Sequence, residues 1–77
     1  MIIDDRRYIS CGGDSLTYLK SLLKSWSIDI DDDVMLYLSR EKFPYKREVF
    51  EKLCLMYNLR IIKFDDDNDI SILFRKI

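Results

Sequence analysis

The sequence predicts a small single-domain α+β protein with two amphipathic helices, at about residues 15–26 and 46–58, and a C-terminal antiparallel β-hairpin of strands 59–64 and 70–75. Two observations give the elements: apolar residues recur at helical spacing in the first two thirds of the chain, and a cluster of turn-forming residues separates two apolar runs near its end. The length of 77 residues leaves room for one hydrophobic core. The chain, residues 1–77, is therefore expected to form one domain.

The first helix is predicted from apolar residues at positions 16, 19, 22, 23 and 26, the stripe of an amphipathic helix. Gly12-Gly13 before it is typical of a turn, and Asp14 or Ser15 is expected to cap the helix. We interpret the stripe as a face buried in the core, since such stripes usually bury themselves. Residues 2–9 have a weak strand character.

The second helix is predicted after Pro44, with a stripe of Val49, Phe50, Leu53, Cys54 and Tyr57, and Asn58 as its stop signal. The segment 33–40 before it is ambiguous. Alternation at positions 34, 36 and 38 favours a strand, whereas three aspartates ahead of it favour a capped helix. Of the two, we favour the helix.

The hairpin is predicted around five polar residues, Asp65-Asp66-Asp67-Asn68-Asp69. Pairing Phe64 with Ile70 across this turn puts Ile62 opposite Ile72 and Ile61 opposite Leu73. One face of the hairpin then meets the helices. Ile61 and Leu73 would share the other face and would need a second cover.

The sequence offers little for catalysis or metal binding. It contains no histidine, which excludes the common Ser/His/Asp and Cys/His arrangements and imidazole ligands. Cys11 and Cys54 are expected to be reduced thiols, since nothing beside them forms a metal-binding or redox motif. Asp65, Asp67 and Asp69 have part of an EF-hand spacing, but the loop lacks the required glycine and the bidentate glutamate. We therefore expect a protein that is not an enzyme, with no cofactor, metal or catalytic residue.

One short motif has a family resemblance. The segment 12–16, Gly-Gly-Asp-Ser-Leu, resembles the phosphopantetheine attachment motif of acyl and peptidyl carrier proteins, and the resemblance implies Ser15 as the attachment site. The carrier fold has a whole helix before this motif, whereas this chain has eleven residues there and ends in a hairpin that the carrier fold lacks. We interpret the segment as a turn and a helix cap.

Basic residues are concentrated in one part of the chain, although the net charge is only −1. Between positions 40 and 63 there are seven basic side chains against three acidic ones. The order of elements also suits a winged-helix-like nucleic-acid-binding protein, with Arg40, Lys42, Lys46 and Arg47 as the candidate contacts. Against this alternative, the wing would have an acidic tip, which phosphates repel.

The function we favour is a protein-interaction module that binds a protein partner or forms a homo-oligomer such as a homodimer. The candidate contacts are Ile61, Leu73, Arg75 and Ile77, along the outer face of the hairpin and its last strand, where edge pairing is expected. The isoleucine- and aspartate-rich composition and short length suggest, by association only, a viral or phage accessory protein. We expect a cytoplasmic location without a membrane partner, because the sequence shows no signal peptide or membrane-spanning run.

Overall fold

The structure, a computed structural model, describes residues 1–8, 14–29 and 31–77. The described residues form four strands and two helices in the order β1 (Ile2–Asp5), α1 (Ser15–Asp29), β2 (Val34–Ser39), α2 (Arg47–Met56), β3 (Leu59–Asp66) and β4 (Asp69–Lys76). The predicted α+β class, both helices and the C-terminal hairpin are confirmed. The weak strand at the beginning of the chain is also present, as β1.

The four strands form one mixed sheet in the order β1-β2-β4-β3. β1 is parallel to β2, while β4 is antiparallel to both β2 and β3. The last strand is therefore internal, and the expectation that it offers a free edge is wrong. The hairpin is inserted into the sheet through β4, so the outer strands of the described sheet are β1 and β3.

The ambiguous segment 33–40 contains strand β2, and its interpretation as a helix is wrong. Val34, Leu36 and Leu38 are buried, whereas Met35 and Tyr37 on the other face are only half-buried. This period of two matches a strand with one covered face. The preceding aspartates do not cap a helix; Asp33 instead binds the guanidinium of Arg75 on β4.

Both helices pack on the same face of the sheet. Each helix buries one stripe, and these stripes join the alternate residues of β2 and β4 in a single core. Phe43, in the connection between β2 and α2, is also fully buried in this core. The other core residues are Leu19, Leu22, Leu23, Trp26, Val34, Leu36, Leu38, Phe50, Leu53, Cys54, Leu59, Ile70, Ile72 and Phe74.

The hairpin has a different register from the predicted one. Its strands extend into the acidic cluster, so that Asp66 pairs with Ile70 and Phe64 with Ile72. The predicted five-residue turn becomes a two-residue connection, Asp67-Asn68, because the aspartates at its ends join the strands.

A β-bulge in β3 puts Ile61 and Leu73, which were expected to share the uncovered face, on opposite faces of the sheet. The register shifts between Ile61 and Lys63, and the extra residue is Ile62. Ile61 lies opposite the buried Phe74 and packs against the core, whereas Leu73 lies opposite Lys63. The prediction that Ile61 and Leu73 face the same way is therefore wrong, because one inserted residue reverses the alternation of a strand.

Candidate interaction site at the β3 edge

A shallow groove of about 200 Å³ runs between helix α2 and the base of strand β3. Its walls are largely apolar, and Leu55 on the helix is 66% exposed beside it. We call this feature the α2–β3 groove. It is lined by Glu51, Cys54, Leu55, Leu59, Arg60 and Ile61.

The connection from α2 to β3 aligns the two walls of the groove. Helix α2 ends at Met56, and Asn58 has a positive φ of 57°. Asparagine tolerates this left-handed conformation better than most residues do, which explains why it follows the end of a helix. The chain reverses here, and the predicted stop signal at Asn58 is confirmed.

The outer edge of β3 is paired with no described strand. Towards the hairpin tip this edge is protected: the bulge at Ile62 interrupts it, and Lys63 and Asp65 form an exposed ion pair at 3.7 Å. Bulges and charged side chains are the usual means by which proteins prevent edge strands from pairing with other chains. The base of β3, Leu59–Ile61, precedes these features and lies against the groove.

Charge at the base of β3 is unbalanced. Arg60 lies directly opposite Arg75 in the hairpin, a like-charge pair that is unfavourable in a sheet. Arg75 donates two hydrogen bonds of 3.0 Å to the Asp33 carboxylate. Arg60 is exposed and has no ion pair with any residue that the structure describes. The nearby Glu51 accepts a 2.7 Å hydrogen bond from Arg47, so its charge is already balanced.

Cys54 lines the groove, and its thiol is a poor nucleophile. The residue is buried, and burial, together with the charge of Glu51, raises the pKa of the thiol to about 12. A thiol with such a pKa is protonated at neutral pH and unreactive. The other cysteine, Cys11, lies outside the described residues.

The four predicted partner contacts are not brought together. Ile61 lines the α2–β3 groove, while Leu73 and Arg75 lie on the opposite face of the sheet. Ile77 is exposed, and its N–H donates to the Asn58 carbonyl at 2.9 Å. Sequence reasoning missed Leu55 and Arg60. Leu55 did leave a signal, since it is an apolar residue outside the buried stripe of a predicted helix.

The basic residues of the nucleic-acid alternative are partly engaged in internal contacts. Arg40 donates to Asp66 and to the carbonyls of Phe43 and Tyr45, which holds the connection after β2 in place. Arg47 pairs with Glu51. Lys46 and Lys42 are exposed, and Lys46 is the residue that precedes α2.

The described part of the Gly-Asp-Ser-Leu segment behaves as a helix cap. Asp14 accepts hydrogen bonds from the Leu16 N–H at 3.0 Å and from the Thr17 hydroxyl at 2.9 Å. The hydroxyl of Ser15 is hydrogen-bonded to the Tyr45 hydroxyl at 2.6 Å. Gly12 and Gly13 lie outside the described residues.

The sheet face opposite the helices is a second surface. Ile3, Met35 and Leu73 lie side by side across β1, β2 and β4, and Ile3 is 65% exposed. Arg7 stacks over the ring of Tyr37 at 5.4 Å and forms an ion pair with Asp5. This face therefore has a short apolar row across β1, β2 and β4, and the Arg7–Asp5 ion pair lies beside it.

Within residues 1–8, 14–29 and 31–77, no group of three or more histidine, cysteine or acidic side chains is placed to hold a metal ion. The described helices also include none that is both long and apolar enough to span a membrane. Comparisons with protein-family models, with curated proteins and with solved structures gave no match to this chain.

Proposed function

We propose that this protein is a non-enzymatic interaction module that binds an extended segment of another protein along the base of β3. The observation that supports this best is that an apolar groove lies directly beside an unpaired length of strand. An added strand gains main-chain hydrogen bonds from such an edge, and side-chain specificity from the groove.

The asymmetry of β3 also supports the proposal. Its tip half follows a bulge and has a Lys63–Asp65 ion pair, both of which oppose strand addition, whereas Leu59–Ile61 precedes the bulge and carries a single charge, Arg60. The opposite edge, β1, is only four residues long. The base of β3 is therefore the better place for a partner strand.

A selection from randomised 12-residue peptides displayed on phage tests the proposal. We expect peptides that bind the wild-type protein and lose binding to Leu55→Glu, which places a charge in the groove wall. Leu55 is 66% exposed, so this substitution removes little from the core. The matched control is Ile28→Glu on α1, where the replaced residue is 68% exposed.

Binding to the wild type and to Ile28→Glu, but not to Leu55→Glu, is the expected result. A selection that enriches no peptide overturns the proposal. Peptides that bind Leu55→Glu as tightly as the wild type also overturn it. Circular dichroism of both variants shows whether each retains the fold.

A further inference from the structure

The chemistry of the partner segment follows from how an added strand would align with β3, and this inference rests on the proposed function. Successive side chains of a strand point to opposite faces of the sheet. Partner residues opposite Leu59 and Ile61 would point towards α2 and the groove. The residue between them would lie beside Arg60, on the other face.

Arg60 is the charge at this position that lacks a counterion among the described residues. Its cross-strand neighbour is another arginine, Arg75, and that arginine is already bound by both carboxylate oxygens of Asp33. The acidic residue in the groove lining, Glu51, is bound by Arg47. A carboxylate from the partner would supply the missing counterion and reduce the repulsion between the two arginines.

The charge of β3 changes sign along the strand, which limits where that carboxylate can lie. Asp65 and Asp66 follow in the tip half, and Asp67 lies in the turn. Asp65 and Asp66 already pair with Lys63 and Arg40, so among the described residues the tip half presents no unpaired cation to a partner acid, whereas Arg60 does. This difference favours one register of the partner strand.

We propose that the partner segment is an extended peptide in which an acidic residue lies between two apolar residues, with its carboxylate on Arg60 and the apolar side chains over the α2–β3 groove. The groove and Arg60 together prefer partner segments with the alternation apolar–acidic–apolar. A basic residue in the middle position is disfavoured, because it would lie beside the unpaired charge of Arg60.

The test compares synthetic forms of a peptide from the selection, with aspartate, asparagine or lysine in the middle position. Fluorescence polarisation measures their affinities for the wild type, Arg60→Glu and the control Lys24→Glu, which makes the same charge change on α1. For the wild type we expect lysine to weaken binding relative to aspartate by about two- to tenfold, because an exposed ion pair is lost and a like-charge contact of similar magnitude replaces it. Arg60→Glu should invert this preference, and Lys24→Glu should keep it.

The possible failures are distinguishable. Peptides that need Leu55 but do not discriminate aspartate from lysine overturn this inference and leave the proposed function in place. An Arg60→Glu variant that still prefers aspartate to lysine also overturns this inference and leaves the proposed function in place. Peptides that bind independently of Leu55, or no binding peptide at all, remove both proposals.

Discussion

The side chain of Cys54 contributes to packing, and its thiol is unreactive in the folded protein. The residue forms part of the core and of the groove wall, and its thiol has a pKa raised to about 12 by burial and by Glu51. The folded state therefore disfavours the thiolate. This contribution to stability is complete below the ordinary thiol pKa of 9.0 and is lost as the pH rises towards about 12.

The reactivity of Cys54 can be measured directly. In a Cys11→Ser background, we expect the single thiol to react with Ellman's reagent at pH 8 only when the protein opens, because the thiol is buried and protonated. The rate should rise to that of a free thiol in denaturant. Rapid reaction of the native protein would contradict the buried position of Cys54.

Asp33 is the second side chain with a distinct contribution. Its hydrogen bonds from Arg75 hold the pKa of the carboxyl below the ordinary value of 3.8. A carboxylate with a depressed pKa stabilises the folded state above its unfolded pKa, and this stabilisation is lost as the pH falls through the folded pKa. The β2–β4 pairing should therefore weaken in acid.

The corresponding prediction concerns Asp33→Asn. We expect the variant to melt at a lower temperature than the wild type at pH 7, with the difference shrinking as the pH is lowered below about 4. Asp67→Asn removes the same charge from the hairpin turn and is the control. A melting-temperature difference that is the same at pH 7 and pH 2.5 would contradict the assignment.

At the scale of elements, strong periodic patterns were predictable from sequence and long-range pairing was not. The stripes of α1 and α2 identify both helices because burial of an apolar face determines a helix locally. Segment 34–38 has too few residues for its apolar spacing to distinguish the period of a helix from the period of a strand. Its conformation is decided by pairing with β4, whose partner residues lie 30 to 40 positions later in the chain.

The site was only partly predictable for the same reason. Ile61 was identified as a contact, but its face depends on the bulge, and no local signal places an extra residue at Ile62. The importance of Arg60 depends on its opposition to Arg75, which follows from the hairpin register. An expected five-residue turn gives a different register and different neighbours.

The alternation of β2 gives a prediction at this scale. Leu36→Ala should lower the free energy of unfolding by about 2–5 kcal/mol, because Leu36 is fully buried in the core. Met35→Ala, on the half-buried opposite face, should cost about 1 kcal/mol. Chemical denaturation measures both, and equal losses would contradict a strand with a single covered face.

At the scale of the whole molecule, the sheet has helices on one face and charged and apolar residues on the other. A domain of 77 residues has a total stability of roughly 4–11 kcal/mol. It tolerates few core losses, so substitutions that test its interaction surface must be made at groove residues that the core does not need. Leu55 and Arg60 meet this requirement because both are exposed.

The central claim is that a partner adds a strand to the base of β3, and amide hydrogen exchange followed by NMR tests it most directly. In the free protein, the β3 amides that point away from β4 should exchange quickly, as expected for an unpaired edge. With a selected peptide bound, amides within Leu59–Ile61 should become protected while those of β1 remain unchanged. Protection that appears in β1 instead, or a bound peptide that leaves β3 exchange unaltered, would contradict the account.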